Sequence, residues 1–151
     1  MVKASLNFPN FSLSVQNDKN RGEVIWDHIR KKWLVLTPEE WVRQHMIHYL
    51  LSAGYPETSL AIEAGIQVNG LTRRCDIVAY SKGEPQMIVE CKAPSVPINQ
   101  EVFDQAARYN LTLQTPYIAV TNGMTHVFAQ INYQEEKYVF LPEIPQRSEE
   151  H

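Results

Sequence analysis

The stretch CDIVAYSKGEPQMIVECKA, Cys75–Ala93, decides the fold. Two runs of strand-forming residues flank SKGEP, a turn by its Gly and Pro, and together they read as a β-hairpin centred on Gly83. In the second run Ile88, Val89 and Cys91 suit a buried strand. Glu90 and Lys92 interrupt it on one side of the pleat, because side chains two apart share a face. Asp76 and Glu90 are equally far from Gly83, so hairpin symmetry sets them opposite each other or within one register step. Directly opposed Cβ atoms lie about 4.5–5.5 Å apart. Two carboxylates that close repel, and burial adds to the cost. A divalent cation removes the conflict, since two carboxylates completed by water and a substrate phosphate are a usual magnesium site. Lys92, on the face of Glu90, is placed to orient a water or to stabilise charge on a phosphoryl group. The same Glu-x-Lys pair is also ordinary on a solvent-facing strand, where it is only a charged face.

Outward from the hairpin, TPEEWVRQHMIHYLLSAGYP opens with Thr37 as helix N-cap, Pro38 at the first helical position and Glu40 completing a capping box. Apolar residues recur near helical period from Trp41 to Leu50, and Gly54 and Pro56 end the helix. SLAIEAGIQVN reads as a strand before the hairpin, and Pro94 and Pro97 break the strand after it. NQEVFDQAARYNLTLQ is a second amphipathic helix, with Val102, Phe103, Ala106, Tyr109 and Leu113 on related faces. PYIAVTNG, THVFAQIN and KYVFL are further strands. VIWDHIRKKWLVL is either a strand pair or a short lead-in. Helix, three strands, helix and more strands indicate an α/β (α+β) domain with a mixed central sheet. The expected organisation is an N-terminal extension over 1–36 that lies against the core, a main domain over 37–141 and a loose polar tail over 142–151.

At 151 residues, with 44% apolar and 21% charged, the chain suits one globular domain with a real core. A formal net charge of −3 argues against a dedicated, uniformly basic nucleic-acid binder, while leaving local contact with nucleic acid open. No apolar run approaches the roughly 18 residues of a membrane span, and the N-terminus lacks the apolar block of a signal peptide. Cys75 and Cys91 lack the paired spacing of a zinc site and read as buried thiols of a cytoplasmic protein. His28, His45, His48, His126 and His151 show no ligand spacing. Trp26, Trp33 and Trp41 read as core or interface anchors rather than base-stacking platforms.

Asp76, thirteen intervening residues, then Glu90-Cys91-Lys92 resembles the active-site hairpin of the PD-(D/E)XK nuclease superfamily. TPEEWVRQHMIHYLLSAGYP, RRCDIVAY, IVECKAP, FDQAARYN and TNG occur in an order that resembles the nuclease domain at the N-terminus of type I restriction enzyme restriction subunits, over residues 37–130. The resemblance implies a restriction-endonuclease-like mixed sheet flanked by helices, Mg²⁺ (Mn²⁺ as substitute) and hydrolysis of DNA phosphodiesters. It implies Asp76 and Glu90 as catalytic metal ligands, the Cys91 carbonyl as a third ligand and Lys92 as the catalytic lysine. A first-helix glutamate often completes such sites; Glu40 is the better match, with Arg43 beyond it, and Glu39 the fallback. Both are also plain first-turn charges favoured by the helix dipole. Gln105 and Tyr109 match the QxxxY element and share one helical face, although Tyr109 in the core and Gln105 at the surface is the ordinary alternative. Arg73 and Arg74 suit phosphate contacts or a solvated strand end equally. Position 75 is Cys where the superfamily often has Pro, and there is no GxxxxGK[ST] phosphate loop or motor. The expected partners are therefore DNA, separate motor or specificity subunits and a second copy of the chain, with no membrane. The acidic charge and missing motor favour a second reading, a catalytically silent module for DNA binding or assembly.

Overall fold

The structure is a computed structural model. It describes residues 3–68 and 70–145, except for the side chains of residues 66–68, 71–73 and 112. The lead-in resolves as strands. β1 (Val15–Asp18), β2 (Gly22–Asp27) and β3 (Lys32–Val35) form an antiparallel sheet of their own, with Trp26 opposite Trp33 and their rings edge-on at 5.3 Å. α1 (Pro38–Ser52) and a 3₁₀ turn (Glu57–Ser59) follow. A six-stranded mixed sheet comes next, ordered β4 (Leu60–Val68), β5 (Leu71–Ser81), β6 (Glu84–Cys91), β7 (Tyr117–Thr121), β8 (His126–Asn132) and β9 (Lys137–Leu141). Its one parallel pair, β6 with β7, is joined by the crossover helix α2 (Gln100–Leu113), as a parallel connection requires.

The two helices cover opposite faces of this sheet. Met46, Ile47 and Leu50 of α1 meet Ile77, Met87 and Val89 on one face. Phe103, Ala106 and Ala107 of α2 meet Ile118, Val120 and Ile131 on the other. β5 and β6 are thus covered on both sides, and they read as apolar runs rather than as alternating ones for that reason. α1 is bounded as its sequence suggests. The Thr37 hydroxyl accepts the Glu40 amide at 3.0 Å, and Pro38 occupies the first turn. At the far end Gly54 takes φ +100°, its amide bonds Leu51 O, and the Tyr55 amide bonds Leu50 O, both at 3.1 Å. Left-handed φ at that position is what glycine allows without strain. The reciprocal half of the expected capping box is replaced: the Glu40 carboxylate turns inward and accepts Gln44 Nε2 at 3.0 Å. Thr37→Ala is expected to cost about 1 kcal/mol and to lower Tm by roughly 2–4 °C; thermal denaturation checks this.

Residues before β1 lie across α1 and the end of β8. Trp41 Nε1 donates to Ala4 O at 2.8 Å, and Phe8 lies against His126, the rings tilted at 33° and 4.3 Å between centroids. Leu6 sits so near Gly123 (φ +86°) that a Cβ there would come within 2.8 Å of its side chain. Past 141, where the sequence suggests a loose tail, the chain stays seated for four more residues: Ile144 joins the core and Tyr55 Oη donates to Pro145 O at 2.6 Å. The remainder of the suggested tail lies outside the described residues. Among the described residues no helix is long and apolar enough to cross a membrane.

Candidate functional site

The site forms where β5 and β6 part. The loop between them is two residues long, with Lys82 (φ +54°) and Gly83 (φ +77°) both left-handed, as a tight hairpin turn of the primed type demands. Its centre therefore lies between Lys82 and Gly83, and Ser81↔Glu84 and Tyr80↔Pro85 pair accordingly. A bulge then inserts Gln86 on β6, and the ladder resumes one step over as Ala79↔Met87, Val78↔Ile88 and Ile77↔Val89. The bulge is what brings Asp76 and Glu90 to the next rung. That rung is not closed by backbone. Instead the Asp76 carboxylate replaces a main-chain acceptor, with Oδ2 taking the Cys91 amide at 2.8 Å. β6 holds to β7 at the same level through Glu90↔Val120 and Cys91↔Thr121, and the Lys92 amide bonds Thr121 O at 2.8 Å.

Glu90 and Lys92 project on the α2 side and line a cavity of about 150 Å³ with Val102, Gln105, Ala106 and Tyr109. Gln105 and Tyr109 reach it together because residues four apart stack on one helical face. Tyr109 is 42% exposed, so it forms a wall of the cavity and not part of the core. Burial, and then repulsion from Asp76, push the Glu90 carboxyl up to about 7 despite the Lys92 ammonium, which acts the other way. The Cys91 thiol faces α1 and is pushed well up by burial, so it stays protonated. Cys75 and Cys91 are both buried and not joined in a disulfide.

The first turn of α1 sorts its two glutamates. Successive helical residues point about 100° apart, so one faces the strand end and the other does not. Glu39 is the one whose charge reaches Glu90; it also pairs with Arg43 at 3.5 Å. Glu40, which the sequence favours, is 6% exposed and held by Gln44 and, at 3.4 Å, by Arg43. Burial raises its carboxyl against the pull of those partners. The buried Asp27, bound to Arg30 at 2.7 Å, lies beside this group, so Glu40 belongs to a charged seam between α1 and the N-terminal sheet. Arg43 is the residue that sequence reasoning underrated. Its guanidinium is 7% exposed, bonded to Glu63 and 3.9 Å from Asp76 Oδ1. Arg74 is exposed and engaged by Glu63 at 2.9 Å, away from the cavity. The Arg73 side chain lies outside the described residues. Glu63 itself was invisible in the sequence, where it is one charge in a strand that reads as plain.

Among the described residues no three His, Cys, Asp or Glu side chains are close enough to enclose a metal ion. The donor types nevertheless suit Mg²⁺: Glu90, a hard carboxylate raised in proton affinity by burial and then by the charge of Asp76, opens on the cavity. Mg²⁺ typically takes one or two carboxylates and keeps water or phosphate for the rest.

The family model of the type I restriction enzyme R protein N terminus (HSDR_N) matches residues 38–145. Among solved structures, the chain is similar to "the fragment structure of a putative HsdR subunit of a type I restriction enzyme from Vibrio vulnificus YJ016", with a TM-score of 0.52 and 21% identity over 74% of this chain. At that identity the likeness is one of fold. The match spans 24% of the Vibrio chain. Among curated protein sequences none matches significantly.

Proposed function

Since the chain belongs to the family of type I restriction enzyme R protein N termini, we propose that it is a Mg²⁺-dependent endodeoxyribonuclease domain of the PD-(D/E)XK kind, acting on DNA in a restriction system together with other subunits. The observation that supports this most is the convergence at one strand end. Asp76 is pinned to the Cys91 amide. Glu90, with its proton affinity raised to about 7, shares a cavity with Lys92, Gln105 and Tyr109. A purely structural strand has no use for a carboxylate so poorly stabilised.

In this reading Asp76 and Glu90 would hold the cation, with the Cys91 carbonyl as a further ligand and Glu39 nearby. Bound Mg²⁺ would supply Lewis-acid stabilisation of charge on the phosphate. Lys92 holds the attacking water against the phosphorus and offsets the negative charge that grows on the phosphoryl oxygens. Gln105 and Tyr109 orient the DNA backbone from the opposite wall by hydrogen bonds to phosphate oxygens. Glu90 would have to be ionised to serve as a ligand, so affinity for the metal is expected to rise with pH up to about 7.

The test is cleavage of supercoiled, linear and single-stranded DNA by the full chain with Mg²⁺ or Mn²⁺, against a chelator control. Alongside it, millimolar Mg²⁺ is expected to raise Tm by mass action, and Asp76→Asn to weaken that response. Absence of both effects would remove the nuclease reading. One observation favours the silent module: Asp76 is already partly satisfied by the Cys91 amide and by Arg43. That reading predicts DNA binding without cleavage under either metal.

A further inference from the structure

β4 contains a residue that does not behave like strand. Glu63 has φ +50°, a left-handed conformation that non-glycine residues seldom adopt. The β4–β5 ladder pairs Ile62↔Ile77 and Ala64↔Cys75 in one register and leaves out the rung between them. The residues on that missing rung are Glu63 and Asp76. A strained backbone persists only where its surroundings enforce it. Here the surroundings are cationic. One carboxylate oxygen of Glu63 bonds Arg43 Nη1, and the other bonds Arg74 Nη2 at 2.9 Å and lies 3.6 Å from Arg30 Nη1.

The same Nη1 of Arg43 is also the atom 3.9 Å from Asp76 Oδ1. It is therefore contested by two carboxylates, and Glu63 has the closer hold. Arg43 is walled in by α1 and the sheet, with a side chain only 7% exposed, and Glu39 and Glu40 flank it at 3.5 and 3.4 Å. Of the two carboxylates that Nη1 approaches, Asp76 is the one left when Glu63 is removed. A guanidinium closed onto that carboxylate would occupy the position a cation needs and add a positive charge against it.

We propose that Glu63 is a positioning residue of the site: it draws Arg43 off Asp76 and so keeps that carboxylate available to a divalent cation. The proposal rests on the reading of Asp76 and Glu90 as a cation site. It assigns the kink in β4 a purpose that strand geometry alone does not.

The experiment uses the full chain and Mg²⁺ or Mn²⁺ alone, with affinity read by titration calorimetry and by the metal-induced shift in Tm. Glu63→Gln keeps the side chain's size and removes its charge. It is expected to weaken cation binding about tenfold, the size of one charge-assisted bond redirected. Glu63→Gly suits the left-handed backbone and is expected to show the same weakening, so a folding defect in the Gln variant does not hide the effect. The decisive arm is the pair Glu63→Gln with Arg43→Gln. Removing the released guanidinium is expected to bring affinity back to within about threefold of wild type, whereas a merely structural Glu63 would leave the double variant worse than either single one. Wild-type affinity in both Glu63 variants, or no recovery in the double variant, overturns the proposal. So does a wild-type chain that binds neither metal. A wild type that binds metal and shows the expected pattern, yet cuts no DNA, leaves the positioning role standing and removes the nuclease reading. Cleavage that is indifferent to Glu63 does the reverse.

Discussion

Lys92→Ala is expected to lower the rate of the proposed DNA cleavage by about 10²–10³, the usual worth of a charged group aimed at the charge that develops in a transition state. The fold survives, because the contact that fixes this position in the sheet is the main-chain bond from the Lys92 amide to Thr121 O at 2.8 Å, which alanine keeps. Lys92 also opposes the rise in the Glu90 carboxyl's proton affinity. Its removal therefore destabilises the cation-free protein more at pH 8, where Glu90 is ionised, than at pH 6. Single-turnover cleavage and melting curves at the two pH values separate the roles. A variant that unfolds at both pH values, beside a wild type that cuts nothing, would make Glu90 and Lys92 a structural ion pair.

Glu90→Gln is expected to stabilise the cation-free protein by an amount that grows as pH rises from about 4.5 to 7. The folded-state proton affinity of Glu90 is raised from 4.5 to about 7. A carboxyl shifted in that direction contributes its full stability below pH 4.5 and loses it as pH rises through 7. Glutamine, which never ionises, loses nothing. The gain over wild type is then about 1 kcal/mol at pH 5 and of the order of 3 kcal/mol at pH 8, or roughly 5–10 °C in Tm at the higher pH. Melting in chelator across this range is the measurement. An equal gain at both ends would show that packing, not ionisation, is responsible. Millimolar Mg²⁺ should close the gap, because it relieves the repulsion in wild type and meets only a neutral amide at this position in the variant.

Much of this architecture is legible in local chemistry. Thr37, Pro38 and Gly54 bound α1, and the apolar runs on both sides of Lys82-Gly83 form the hairpin. These are signals that act over a few residues, through a cap, a turn or a period, and need no distant partner to take effect. The expectation that Asp76 lies on the rung of Glu90 rests on an incomplete reason. A turn centred on Gly83 leads to the right rung, whereas the actual two-residue turn would miss it by one step without the Gln86 bulge. A bulge depends on how two strands coil against their neighbours, and nothing in the string GEPQM announces it.

The choice between Glu39 and Glu40 shows the boundary most clearly. On a helix considered alone, both are first-turn acids favoured by the dipole. Glu40 turns inward because Gln44, Arg43 and the Asp27–Arg30 pair surround it, and Asp27 comes from a sheet that precedes the helix by a turn and a strand. Glu63 is the same case in a strand: only the meeting of β4 with α1, β5 and the turn between β2 and β3 places three arginines around it. The two helices, the main strands and their ends are legible in the sequence alone, because propensity, capping and alternation are written in neighbouring residues, whereas the N-terminal strand set is not. Only the folded chain turns Glu40 inward onto Gln44 and Arg43 and sets Arg43 between Glu63 and Asp76. Those outcomes depend on competition among charges far apart in the chain, and burial, which sets the strength of that competition, exists only once the sheets and helices have closed.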